Sequence, residues 1–252
     1  MEREFDKNSE IRHQREILEN LEKWRQKPLL QLIYRDYANL IKGYFSEVNK
    51  PIIEIGAGIG NLKNFINGII CTDLFPNPWI DVVCSAYYLP FEEGTVSNIF
   101  MFDVFHHLER PMAFLKEARR VLDNNGRLIM IEPYISLFSY PVYGLLHHEE
   151  IGWFKKIDLS EERPQVSRYY AAQGNATRLF FEQKAVKIIN QWEIVEKKRF
   201  ACMSYILSGG YSKPSFYPTR FYNPMKKLDS LLSSLPSLFA ARCLVVLEKR
   251  ES

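Results

Sequence analysis

From Ser9 to Phe45 apolar side chains recur every three or four residues: Ile17, Leu18, Leu21 and Trp24, then Leu29, Leu32, Ile33, Tyr37, Leu40, Ile41 and Phe45. That spacing predicts two amphipathic helices, and Pro28 falls where the first turn of the second can accept it. At Lys50 the rhythm changes. Pro51-Ile52-Ile53-Glu54-Ile55 is a short apolar run ending in glycines, which predicts a buried parallel strand entering a tight turn. A short helix around Leu62 to Ile66 follows, then strands over 68–72, 80–84 and 98–102. Met112, Leu115, Ala118 and Leu122 mark a helix starting after Pro111, and Asn124-Asn125-Gly126 closes it before a strand from Arg127 to Ile131. Strands alternating with helices predict an α/β fold with a parallel sheet covered on both faces.

Past Glu132 the pattern is different. Tyr134 to Leu146 carries no charge and is interrupted by Pro141 and Gly144, and residues 157–175 are polar and irregular. Phe180 to Gln191 reads as a helix, Trp192 to Tyr205 as a strand, Gly209 to Pro224 as a loop, Met225 to Leu232 as a helix and Ala241 to Lys249 as a closing strand. The expected organisation is one domain over residues 1–252: N-terminal helices to 48, a core over 49–133, and insertions with the final strands from 134 onward.

Composition narrows the class. The chain has 252 residues, 46% hydrophobic and 25% charged, which is enough apolar surface for a core and too little net charge for a disordered chain. Basic side chains exceed acidic ones by only three, without a basic stripe, so DNA is not an expected partner. The four cysteines lie far apart, with no C-x-x-C pair, which points away from zinc sites and disulfide frameworks and towards a reducing cytoplasm. Met1 to Arg12 is too charged for a signal peptide, and no apolar run reaches the roughly 18 residues of a membrane span.

Chemistry concentrates after the first strand. Glu54-Ile55-Gly56-Ala57-Gly58-Ile59-Gly60-Asn61 places glycines where the backbone must turn sharply and let a ligand approach the peptide planes. A dinucleotide fingerprint needs its third glycine at 61, which is Asn61, so an NAD-type oxidoreductase is the less favoured alternative. Asp73, at the end of the next strand, lies where a carboxylate can accept both hydroxyls of a ribose.

Ser85-Ala86-Tyr87-Tyr88-Leu89-Pro90-Phe91, then Asn98 to Phe102 and Asp103-Val104-Phe105-His106-His107-Leu108, complete the set. With the glycine turn and Asp73, these residues resemble the class I S-adenosylmethionine-dependent methyltransferases of the type 11 group, from about Pro51 to Glu132. The resemblance implies a Rossmann-like seven-stranded sheet, mostly parallel with the last strand antiparallel, carrying N-terminal helices and C-terminal insertions. It implies S-adenosylmethionine as cofactor. Glu54, Gly56, Gly58 and Gly60 then surround its methionine portion, and Asp73 holds the ribose. Ala86 and Leu89 line the adenine. Ser85 stands where the family commonly has Asp, and Asp103 and Phe105 face the methyl being transferred. A non-catalytic cofactor-binding module remains an alternative.

His106 is the candidate general base, because an imidazole can take a proton from an attacking hydroxyl or amine near neutral pH. The competing reading is a structural histidine at a strand end. His147, His148, Glu149 and Glu150 are metal-ligand types, but neighbours in an extended chain point to opposite sides, so no metal site is expected. Arg163, Arg168, Tyr169, Tyr170, Asn175 and Arg178 mix acceptor contacts with ordinary surface. Between Tyr134 and Tyr222 lie 18 of the chain's 35 aromatics, which suits a pocket for a sugar or other amphipathic small molecule, or else a second small core. The uncharged stretches Tyr134 to Leu146 and Ser230 to Ala241 are candidates for peripheral contact with a lipid surface, with a lipid-linked glycan precursor as acceptor.

Overall fold

A computed structural model describes residues 7–146, 156–164, 174–182 and 191–250. Seven strands form one sheet: β1 (Ile52–Ile55), β2 (Ile69–Asp73), β3 (Val82–Val83), β4 (Val96–Phe102), β5 (Leu122–Pro133), β6 (Trp192–Phe200) and β7 (Arg242–Lys249). Their order is β3-β2-β1-β4-β5-β7-β6. β7 alone runs against its neighbours, inserted between β5 and β6. The expected sheet is therefore present, and its order reverses between β1 and β4, where the crevice of such a sheet opens at the carboxyl ends of the strands.

Side-chain alternation along the central strands builds two cores. Ile99 and Met101 of β4, Leu128 and Met130 of β5, and Val245 and Leu247 of β7 point to one face, where helix α3 (Pro111–Val121) packs Phe114, Leu115 and Ala118. Phe100, Ile129, Ile131, Leu244 and Val246 point to the other face. Helix α2 (Pro28–Lys42) covers them with Leu30, Ile33, Tyr37 and Ile41. Pro28 opens α2 as expected, and helix α1 (Lys7–Gln26) precedes it.

Several elements differ from the expectation, each for a tertiary reason. The strand expected to reach Tyr205 stops at Phe200, because Asp229 accepts hydrogen bonds from the Ser204 N–H (3.3 Å) and hydroxyl and folds Met203–Leu207 into a helix. That short helix lies between α4 (Ser139–Leu146) and α6 (Tyr222–Leu232) and is α5; α7 (Pro236–Phe239) follows. β3 keeps only two residues, since the Asp81 carboxylate takes the Cys71 N–H (2.8 Å). The helix expected over 62–66 is one 3-10 turn, Asn61–Asn64. Residues 123–126 bulge out of β5 opposite Ser97, with Asn125 at φ 61°. Of the helix expected over 180–191, a π-helical turn at Thr177–Phe181 is seen, and 183–190 lie outside the described residues.

Phe100 is fully buried between β4 and the N-terminal helices, with Phe45 edging it at 6.2 Å. Phe100→Ala should therefore cost about 3–5 kcal/mol of stability. A urea denaturation series would read this as a lowered midpoint, and an unchanged midpoint would contradict the packing of that face.

Candidate functional site

The glycine turn after β1 is shaped by positive backbone angles: Gly56, Gly58 and Gly60 lie at φ 70°, 55° and 61°. A Cβ on Gly56 would sit 2.4 Å from a Val104 methyl, and one on Gly60 would sit 2.8 Å from the Trp79 carbonyl oxygen. These two glycines seat the turn against β4's exit loop and the segment before β3. At Gly58 the nearest atom among the described residues is Ile17 Cδ1 of α1, at 3.7 Å, so the turn is least crowded there.

Asp73 closes the turn from β2. Its Oδ2 accepts the Gly58 N–H at 2.8 Å and its Oδ1 the Leu74 N–H at 2.7 Å. Each carboxylate oxygen keeps a further lone pair for a hydroxyl. His13 of α1 places Nε2 3.6 Å from Oδ1, a buried nitrogen without a hydrogen-bond partner among the described residues, and stacks tilted on Phe75 at 5.0 Å. A cradle open at Gly58, a carboxylate with spare acceptor capacity and an orphaned ring nitrogen fit a nucleoside ribose. The residues present therefore suit the cofactor implied by the resemblance. His13 and Ile17, from a helix far upstream in sequence, belong to this site without a local motif to mark them.

Glu54 sits one register step behind, buried on the α2 face, and accepts from the Cys71 thiol at 3.3 Å. Burial pushes its carboxyl up to about 8 from an ordinary 4.5, and the nearby Asp73 adds to the rise. On the other flank, Leu89 packs in the core while its N–H donates to Glu117 Oε1 (2.8 Å) and its carbonyl accepts from Arg120 (3.0 Å). Glu117 also pairs with Arg163, whose guanidinium lies 4.5 Å above the Tyr88 ring. The adenine-side loop is thereby tied to α3. Ser85 turns its hydroxyl inward to accept the Tyr87 N–H (3.3 Å), and Ala86 stays half-buried beside it.

At the exit of β4 the two expected site residues are held within the protein. Asp103, expected to face the methyl group, holds φ 57° and gives both carboxylate oxygens to Arg242, at 2.5 and 2.7 Å. Phe105, expected to face the same place, buries its ring in the core against Phe114 and Phe180, because the 3-10 turn Phe105–His107 rotates it inward. A Phe105 contact with ligand would have to come from its backbone. Glu132, at the end of β5, organises that turn: Oε1 accepts the N–H groups of Val104 (2.8 Å) and Phe105 (2.7 Å), and Oε2 lies 2.7 Å from His106 Nδ1. His106 is buried, and its ring lies 4.1 Å from that of His107.

Asn175, expected among the acceptor contacts, is fully buried with neither amide atom partnered among the described residues, and Thr177 accepts the Ile135 N–H. Arg178 is buried nearby, and Arg168, Tyr169, Tyr170 and the 147–150 cluster lie outside the described residues. A broad groove of about 830 Å³ is lined by Glu93, Lys116, Arg119 and Lys249 at the amino ends of the strands, and its wall includes Glu117, Arg120 and Arg163, which hold the Leu89 loop from behind.

Residues 54–130 match a family model described as a methyltransferase domain, and that span holds every candidate cofactor residue from Glu54 to Phe105. Among curated proteins nothing matches the chain. Geranyl diphosphate C-methyltransferase from Streptomyces coelicolor A3(2), in complex with S-adenosylhomocysteine, is similar at 12% identity, covering 85% of this chain and 77% of that one, with a TM-score of 0.50. An N-methyltransferase from Haemonchus contortus, in complex with phosphomonomethylethanolamine and S-adenosylhomocysteine, is similar at 13% identity over 86% of this chain and 53% of that one, with a TM-score of 0.49. At such identity the Streptomyces structure speaks for a shared fold and not for a shared acceptor.

Asp73→Ala should weaken S-adenosylmethionine binding by about 1.5–3 kcal/mol, the scale of hydrogen bonds to a charged group. Calorimetry reads this directly, and unchanged affinity would remove Asp73 from the ribose site. Glu54 sets a second expectation. Its raised pKa means that the folded chain keeps a proton which the unfolded chain releases, so the stability it lends is complete below 4.5 and is lost as pH rises towards about 8. Unliganded Glu54→Gln should therefore show a shallower fall in melting temperature across that range than the parent protein. Parallel profiles would place the proton elsewhere.

Proposed function

We propose that this class I S-adenosylmethionine-dependent methyltransferase carries its methyl group to an oxygen or nitrogen of a small-molecule acceptor, a glycan precursor included, and that His106 takes the acceptor's proton. The observation that supports this is the 2.7 Å contact between His106 Nδ1 and Glu132 Oε2, in a turn that begins beside Gly56. When bound, S-adenosylmethionine supplies a methyl already activated on a sulfonium, so the protein has to provide alignment and the removal of one proton.

The Glu132 carboxylate is well suited to orient a base. It fixes the turn through backbone N–H groups and accepts the His106 Nδ1–H, which makes Nε2 the basic nitrogen. An oxygen or nitrogen acceptor releases a proton as its new bond to carbon forms, and in this reading the His106 ring receives it. Asn175 is a polar contact for such an acceptor, since its buried amide has no hydrogen-bond partner among the described residues.

Labelled methyl transfer to a panel of hydroxyl and amine acceptors tests this reading. His106→Ala should lower kcat by about 10²–10⁴-fold, the usual worth of a positioned base, while cofactor affinity stays unchanged. Glu132→Gln should lower kcat and shift the pH profile with it. Full turnover by His106→Ala would end the base assignment, and a carbon-methylated product would end the oxygen or nitrogen assignment.

A further inference from the structure

The two uncharged stretches of the chain meet in space. The Leu137 and Phe138 N–H groups donate to the Ser237 and Leu238 carbonyls (3.4 and 2.9 Å), Ser136 Oγ donates to the Leu238 carbonyl (3.1 Å), and the Phe138 and Phe239 rings lie 6.3 Å apart. Joined in this way, they turn large apolar side chains outward: Leu137 is 74% exposed, Leu231 68%, Leu235 54% and Tyr140 50%. Leu228 extends the strip along α6, three residues before Leu231 on the same side of the helix, and Phe221 stands exposed just before the helix begins. Contiguous exposed leucines of this kind mark an interaction surface on a soluble domain.

Charge at the rim selects the partner. Between Lys213 and Ala241 the cations are Lys213, Arg220, Lys226 and Lys227, and the only acid is Asp229. Asp229 is turned inward onto Ser204, so it does not offset them at the surface. Lys226 shares its charge with Asp36, while Lys227 and Arg220 stand exposed beside the leucines. An apolar strip edged by cations is complementary to a bilayer with anionic headgroups, where leucines enter the acyl boundary and lysines stay at the phosphates. Among the described residues no helix is long and apolar enough to cross a membrane, so the contact is peripheral.

Topology adds the position. Leu137 follows the carboxyl end of β5, and α7 runs directly into the start of antiparallel β7, so the strip lies at the same end of the sheet as Asp103 and His106. We propose that the face formed by residues 137–140, α6 and α7 docks on an anionic phospholipid surface and presents the crevice to an acceptor held there. The docking stands on the surface itself, and only the link to the acceptor rests on the methyl-transfer reading above.

Flotation of the full chain with phosphatidylglycerol-containing vesicles, against pure phosphatidylcholine vesicles, tests the docking without any turnover. The full chain should float with the anionic vesicles and lose the association as salt rises. The triple variant Leu137→Ser, Leu231→Ser, Leu235→Ser should lose more than about tenfold in partitioning, given the transfer energy of each leucine. Arg220→Glu with Lys227→Glu should abolish the preference for anionic lipid. Unchanged S-adenosylmethionine affinity in each variant shows that it has folded. Failure of the parent chain to float at low salt overturns the proposal, as does equal flotation by the leucine variant. Self-association removed by the leucine substitutions, without vesicle binding, would instead assign the face to a second copy of this chain. A catalytically dead His106→Ala that still floats separates failure of the base assignment from failure of the docking.

Discussion

A guanidinium with almost no solvent contact organises this protein. Arg242 is 2% exposed, and withdrawing such a charge from water costs several kcal/mol unless its surroundings compensate. The compensation comes from distant parts of the chain. Asp103 supplies a bidentate carboxylate, while the rings of Phe102 and Tyr205 (both 4.6 Å) and Tyr37 (5.3 Å) take the cation on their faces. Burial alone would lower the Arg242 pKa, and the Asp103 charge more than reverses it, so the group stays ionised. The end of β4, the start of β7, α2 and α5 are therefore all committed to one point. Asp103 accepts a left-handed backbone there, a conformation that costs a non-glycine residue energy and persists only where neighbours fix it.

The same commitment positions the crevice. With Asp103 anchored, the loop leaving β4 starts at a fixed place, Val104 closes on Gly56, and Glu132 collects the following N–H groups. On the cofactor flank the corresponding part is played by Glu117, which holds the Leu89 loop through its backbone rather than through its side chains. In both places a buried carboxylate satisfies backbone donors that would otherwise be stranded. The residues next to ligand are thus set by acids one layer behind them.

Local signals were readable in the sequence and contacts across the chain were not. The glycine turn, α2 after Pro28, α3 after Pro111 and the strands at 52–55, 96–102 and 242–249 announce themselves by spacing and composition within a few residues. Asp73 could be placed for the same reason, at the end of an apolar run. Arg242 could not, because a cation opening an apolar strand looks like an ordinary flank, and its partner is 139 residues away. His13 continues the Ile17, Leu21, Trp24 face of its helix, but nothing local says that this end of the face reaches Asp73, which it meets only through the packing of α1. Phe105 misleads for the opposite reason: a motif places it at the crevice, but a single tight turn decides which way the ring points. Tyr205 was read into a strand by its apolar neighbours, and Asp229 bends that segment into a helix from outside it.

The span between Arg242 and its cage has a consequence for how the protein is made. Tyr37 leaves the ribosome early, and at about 5–20 residues per second Arg242 follows roughly 10–40 seconds later. Until β7 is in place the sheet lacks the strand that joins β5 to β6, and part of the apolar face of α2 has nothing to cover it. That face of α2 is thus completed only once β7, far away in sequence, has been made, and non-local pairing of this kind slows assembly.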